Sequence, residues 1–571
     1  MKMKIGKRIL AGALCLSLAI FAGCGSYTDD SSADVSTTTD DTAVSVETDD
    51  SAETAETGSA FTIAINAWDT LNPILSSSST DFDILYLLNA GLFRNYNGEM
   101  QYELCESYTL SDDGLTWTFT LREAFWSDGV AITSADFVTS IEAMLDPEGG
   151  AAMGYVLYGI KNATAYAYGE ISDFSEVGVS APDDQTLVIE LEAVDDFFLE
   201  RIATYTLYPT RADFYEEAGD SYGSSADTLL YSGPYVIEDL QLNSSLTLVK
   251  NEYYWDSENS FPVETVNMLI IDDGGTRVSM FESGELDAME EVPSQYAASY
   301  ADTASARDTD SLDYLWINTN TTTSDEARAL LSNQNFRLAL SYALNREEIY
   351  SAIEPTSSAY ARVVSTSVKT DEGEVYVDAY DVNYVSTAGD AEAAVAYLNA
   401  AMEELGYSDV SELPEITYMT ISSDTYRTLG ETFIDQWKQI LGLSNIQFVQ
   451  YDMSTAISYF YSNQYDIFFL GLDFGIAPWD AMGYLTTGGD YNLGIWTDEV
   501  FDELLIQTKA AWGTDAFYDL LAETEEEYLR YCGLIPLAMG QSLYVAQDYV
   551  ENFHMADCGY GFEINYLIVN Q

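Results

Sequence analysis

The chain has a single histidine, His554, and only 21 lysines and arginines against 95 aspartates and glutamates. A formal net charge of −74 repels nucleic-acid phosphates and anionic lipid head groups, which excludes both as electrostatic partners. Cysteine is scarce too: five in 571 residues, with no Cys-x-x-Cys pair. With one histidine besides, a zinc site of the usual ligand types is not expected. Past Cys15 and Cys24 only Cys105, Cys532 and Cys558 remain, so at most one internal disulfide forms, with Cys532–Cys558 the favoured pair. There is no Gly-x-Ser-x-Gly elbow, phosphate-binding loop or His-Glu-x-x-His, and a Ser-His triad would hang on one late residue. Among 95 acids, chance carboxylate pairs carry no glycosidase signal. The expectation is a chain without catalytic residues, cofactor or metal.

What is present begins with a leader. Lys2, Lys4, Lys7 and Arg8 precede an apolar run from Ile9 to Ala22, too short for a comfortable membrane span. Phe21-Ala22-Gly23-Cys24 resembles a bacterial lipobox, which makes Cys24 the lipidated first residue of the mature protein. Residues 25–58 hold ten carboxylates, no lysine or arginine and one aromatic ring. Such a segment buries too little apolar surface to offset chain entropy and reads as an extended acidic tether. Beyond it the chain is rich in apolar residues (47% overall, 13% aromatic), ample for several cores.

The most informative stretch is Ser111–Pro147. Asp112-Asp113-Gly114 is turn chemistry. Leu115, Trp117, Phe119 and Leu121 alternate with Thr116, Thr118, Thr120 and Arg122, the pattern of a half-buried strand. Thr133-Ser134-Ala135-Asp136 fits a capping box, followed by Phe137, Ile141 and Leu145 at helical spacing and the stop at Asp146-Pro147. Further on, Ile416–Ile421, Thr428–Leu441 and Ile446–Tyr451 read as strand, helix and strand, an α/β alternation. Asp83–Phe93 reads as an apolar helix, and Asn345 as the cap of a helix onto which Glu348 reaches back.

This stretch closely resembles the signature region of the extracellular solute-binding proteins of family 5, the peptide-binding components of ABC importers. Ordered motifs extend the resemblance: Leu71-Asn72-Pro73, Gly233-Pro234-Tyr235, Ser283-Gly284-Glu285-Leu286-Asp287, Phe336–Ile349 and Ile535-Pro536-Leu537. It implies an α/β clamp of the type II periplasmic-binding-protein kind: two lobes joined by a hinge, with an extra α/β domain inserted in the first. The implied divisions are signal peptide 1–24, linker 25–58, lobe I 59–94, inserted domain 95–222, lobe I again 223–315, lobe II 316–535 and a return segment 536–571.

The resemblance also implies function: a monomer, lipid-anchored on the outer face of the bacterial membrane, that captures oligopeptides by hinge closure and delivers them to an ABC permease and its ATPase. Other family ligands, oligosaccharides and metal chelates, and a role as receptor for signalling peptides stay open. The implied cleft residues are Ser77, Ser78 and Ser79, Tyr155 and Tyr158, Leu472, Asp473 and Phe474, and Tyr491, with Trp479 a further possibility. One departure matters. Where the family places a Trp and an acid that meets the peptide amine, this chain has Leu472, and either Asp473 two residues early or Gly475. Arg337 is read as structural.

Overall fold

The computed structural model describes residues 59–570 apart from 97–98, 205–206, 383–384, 474, 488–491, 494–495 and 557–560. Cys24 and the tether, with Phe474, Tyr491 and Cys558, lie outside the described residues. The principal strands, in chain order, are β1 Ala60–Ile65, β2 Cys105–Leu110, β3 Thr116–Leu121, β4 Val179–Asp183, β5 Thr186–Glu190, β6 Tyr235–Gln241 and β7 Ser245–Lys250. They continue with β8 Thr265–Ile270, β9 Ala288–Met289, β10 Ser305–Ile317, β11 Ile416–Ile421, β12 Ile446–Tyr451, β13 Ile467–Asp473 and β14 Leu534–Ala546. The longer helices include α1 Ser79–Leu88, α2 Ser134–Leu145, α3 Phe198–Thr204, α4 Gly274–Ser283, α5 Gln334–Tyr342 and α6 Arg346–Ile353. After them come α7 Ala391–Leu405, α8 Asp424–Leu441, α9 Glu499–Ala510 and α10 Phe517–Tyr531.

One large sheet runs in the order β12-β11-β13-β10-β14-β9-β1-β8-β7-β6, and a separate four-stranded sheet in the order β2-β3-β5-β4. The signature stretch builds the smaller sheet. Trp117, Phe119 and Leu121 of β3 are buried, and Asp136 accepts the Thr133 N–H at 2.8 Å, closing the expected capping box of α2. A cap of this kind is worth about 1 kcal/mol.

The two halves of the large sheet are joined by β10 and β14, each 13 residues long. Residues 305–308 of β10 pair with 541–544 of β14 in the first half, and 312–316 with 534–539 in the second; the register shifts between Asp308 and Leu312. One apolar core underlies the first half and the smaller sheet; two more, with Trp437 and Trp496 fully buried, fill the two faces of the second half. Among the described residues no helix is long and apolar enough to cross a membrane.

Three local readings are corrected. The apolar helix is Ser79–Leu88 rather than Asp83–Phe93, because the Ser78 hydroxyl caps it through the Asp81 N–H, and Phe93 already opens a hairpin strand. The Asn345 side chain caps α6, but its own N–H goes to Gln436 Oε1 at 2.8 Å, so Glu348 reaches the Asn345 side-chain amide instead. Cys532 is a free thiol rather than half of a disulfide. It ends α10 at φ +57° and packs in the second-half core with its sulfur 3.6 Å from the Arg337 carbonyl oxygen. β10 itself is longer than its apolar half, since Ser305–Asp310 extend it across the junction. Arg337 is structural as expected: its buried guanidinium donates to the carbonyls of Leu331, Ser332, Tyr531 and Cys532.

Candidate functional site

In open α/β sheets, ligands bind in the crevice beyond the carboxyl ends of parallel strands. Here there are two such sets. β1 runs parallel to β8 and β9, and β11 runs parallel to β12 and β13. β9 advances from Ala288 opposite Ala546 to Met289 opposite Val545, towards the second half. β13 advances from Ile467 opposite Ile317 to Asp473 opposite Ser311, towards the first. The two sets of carboxyl ends therefore point at each other across the middle of β10 and β14. Asp308 stands at that junction, accepting from Gln541 Nε2 at 2.6 Å and from Thr366 Oγ1 at 2.7 Å.

Carboxylates cluster near both sets of strand ends. At the end of β9 stand Glu290 and Glu291, near Asp83 of α1, with Arg277 and Arg307 among them. Arg277 lies 3.9 Å from Glu290 and is otherwise held by the Ile271 carbonyl and Asn66 Oδ1. Burial pushes Glu290 up to about 7, against the pull of Arg277. Burial and then Glu290 hold Asp83 well above the carboxylate range, although Arg307 opposes. Glu291 is exposed, yet desolvation of its carboxyl raises it as well, against the pull of Arg277 and Arg307. On the second bank, burial pushes Asp313 up to about 6 and Glu354 to about 7, the Asp313 charge adding to the latter.

These shifts predict a pH dependence. Each of these carboxyls has a folded pKa above its unfolded value. Each contributes stability that is fully present below the unfolded pKa and is lost as pH rises through the folded one. Thermal unfolding of the protein is expected to show stability rising by about 1 kcal/mol or more as pH is lowered from 8 to 5. Glu290→Gln and Glu354→Gln should each flatten that slope. A midpoint that falls over this interval would contradict the assignment.

The residues expected to line the cleft are distributed unevenly. Ser77 is half-buried in the loop, the Ser78 hydroxyl is committed to its cap, and Ser79 is the exposed first residue of α1. Tyr155 is exposed in a short 3₁₀ turn, and Tyr158 beside it packs on Tyr168 at 5.9 Å between ring centroids. Leu472 is buried in the core: strand alternation turns it to the same face as Leu312, Tyr314 and Trp316. Asp473 ends β13 opposite Ser311, and its side chain is outside the description.

Trp479 is half-buried in a ring cluster that sequence reasoning did not assemble. Its centroid lies 5.3 Å from Phe197, 5.7 Å from Trp512 and 5.8 Å from Phe517, while Phe197 and Trp512 are 4.8 Å apart. Phe197 immediately precedes α3, which packs with the smaller sheet through Phe198 and Trp117; the other rings belong to the second half. Beside them Arg201 approaches Asp480 at 3.8 Å. Asp480 in turn accepts the N–H groups of Ile476 and Ala477, which shapes the loop after β13.

Glu290, Glu291, Asp313 and Glu354 also escaped the sequence reading. A signal existed: Asp313 shares its strand face with Leu315 and Ile317, an acid inside an apolar alternation. Among the described residues no group of three or more His, Cys, Asp or Glu is placed to hold a metal ion.

A sequence model described as bacterial extracellular solute-binding proteins, family 5 (middle region), matches residues 99–492. The oligopeptide-binding protein OppA of Bacillus subtilis (strain 168) is 27% identical over 506 residues, which cover 86% of this chain and 89% of that protein. Among solved structures, the substrate-binding domain of an oligopeptide ABC transporter from Bacillus anthracis str. Ames aligns with a TM-score of 0.72 at 23% identity, covering 90% of this chain and 99% of that one. Listeria monocytogenes OppA bound to peptide aligns with a TM-score of 0.71 at 21% identity, covering 90% and 100%. The fold is the two-lobed α/β clamp that the sequence implied.

Proposed function

From the premise that this chain belongs to the bacterial extracellular solute-binding proteins, family 5, we propose that it captures oligopeptides between its two lobes and delivers them to an ABC importer. The observation that carries this reading is the pair of parallel-strand sets whose carboxyl ends face each other across two crossing strands. A crevice so placed closes by bending at the junction, where β10 loses register between Asp308 and Leu312. Closure is then the change that ligand and permease both sense. The names of the related proteins point to peptides as the ligand class. The lipobox-like Phe21–Cys24 and the acidic tether favour a monomer anchored through Cys24 to the outer face of the membrane. The lobe divisions given above follow the same reading.

The test is thermal unfolding of the full chain against a pool of di- to hexapeptides and a panel of β-linked oligosaccharides. A ligand that binds only the folded form adds about 2.7 kcal/mol of stability at a hundredfold over its dissociation constant. A raised midpoint with peptides is the expected result. A shift with sugars alone would overturn the peptide reading. Cys24→Ser should release the protein from the membrane fraction; retention would remove the lipid anchor from the proposal.

A further inference from the structure

The second bank of the crevice holds a recess whose chemistry is specific. Asp313 of β10 lies opposite Gly471 of β13 and Ala538 of β14, so the row across three strands is acid flanked by two small residues. Gly471 keeps the space beside the carboxylate open: a Cβ there would stand 3.2 Å from Asp313 Oδ1. Two helices cover the same face. Tyr350 of α6 donates its hydroxyl to Asp313 Oδ2 at 2.9 Å, and Glu354 follows at the end of that helix. Tyr426, in the first turn of α8, meets Phe469 edge-on at 4.9 Å.

Among the described residues no cation balances these two acids. Neither Asp313 nor Glu354 meets a lysine, arginine or histidine among the described residues, and the Glu354 carboxyl makes no hydrogen bond among them. A second observation is independent of the acids. Tyr418 and Thr420 lie on the same face of β11, the strand beyond β13; both are fully buried, and among the described residues both hydroxyls are without a hydrogen-bond partner. The Asp313 charge acts on the Tyr418 phenol. Buried polar groups are normally partnered, so the unpartnered Tyr418 hydroxyl, within reach of the Asp313 charge and of Tyr350, marks a place where a polar group is received.

An ammonium brings three donors and a guanidinium five, and neither has an acceptor. Two carboxylates, hydroxyl oxygens and the faces of tyrosine rings match that inventory. We infer that this recess receives the ammonium or guanidinium end of a basic side chain of the bound peptide, so that the chain selects lysine- and arginine-containing peptides. The inference rests on the peptide-binding reading above and names the substrate class of that site.

The test is calorimetry on the full chain with a series of alanine pentapeptides in which one lysine is walked through every position, each matched to its norleucine counterpart. At one position lysine is expected to bind about tenfold or more tighter than norleucine, the scale of a charge-assisted hydrogen bond. Glu354→Gln and Asp313→Asn should each draw that ratio towards one. Asp313→Asn also alters the Tyr350 contact, so Glu354→Gln is the decisive variant. Equal binding of lysine and norleucine at every position would overturn the inference while leaving the peptide reading in place. Absence of binding by any peptide would overturn both.

Discussion

Replacing Glu525 by alanine is expected to cost about 3–5 kcal/mol of stability, the scale for breaking a buried ion pair from one side. Glu525 is fully buried on α10. It accepts from Arg362 Nε at 3.0 Å and Nη2 at 2.7 Å, from the Val363 and Val364 N–H groups at 2.8 and 3.3 Å, and from the Tyr376 hydroxyl at 3.2 Å. Removing it strands the Arg362 guanidinium, which also holds the carbonyls of Val377 and Tyr380. The segment so pinned runs from residue 360 to 380 and contains little regular structure, so side-chain bonds fix its path. Thr366 in it reaches Asp308 at the junction of the lobes. The variant should therefore lose peptide affinity as well as urea resistance. The paired replacement Arg362→Met with Glu525→Leu should recover most of the lost stability, because an apolar pair carries no uncompensated charge. A single Glu525→Ala variant within about 1 kcal/mol of the parent by urea unfolding would show that the segment is held by something else.

Legibility in the sequence followed the range of the interactions concerned. The capping box at Thr133–Asp136 and strands Ile416–Ile421 and Ile446–Tyr451 were readable because alternation and local hydrogen bonds decide them within a few residues. The start of α1 was misplaced because Ser78 sits in a run of four similar serines, and only the Asp81 N–H it accepts selects it as the cap. The polar first half of β10 was missed for a different reason: Ser305–Asp308 is strand only because β14, more than 230 residues later, pairs with it. The candidate site was less legible still. Leu472 looked like a cleft residue by motif position, yet the register with Leu312 turns it into the core. The acids near the two sets of strand ends come from α1, the end of β9, β10 and the end of α6, and no spacing in the chain connects them.

Phe197 offers the sharpest test of closure. It is contributed by the segment entering α3, while the rings it meets, Trp479 and Trp512, come from the opposite bank. Those two are braced by Phe517, which lies 4.7 Å from Trp512 by ring centroid. The ring cluster is thus one half-socket with a single plug from across the crevice. Phe197→Ala removes the plug and leaves the socket. Allowing for partial burial, the lost apolar area and ring contacts amount to about 2 kcal/mol of closed-state stability. Arg201 and Asp480 beside it contribute less, since a part-exposed pair at 3.8 Å is worth about 0–1 kcal/mol. When the closed form is the minor one before ligand arrives, the apparent Kd rises by the whole factor, roughly thirtyfold for Phe197→Ala. Arg201→Ala should change it by no more than about fivefold. The fluorescence of Trp479 and Trp512 should shift to the red in Phe197→Ala and recover as saturating peptide restores closure. An unchanged Kd with the red shift present would mean that the rings touch without biasing the clamp, and closure would then rest on the junction of β10 and β14 alone.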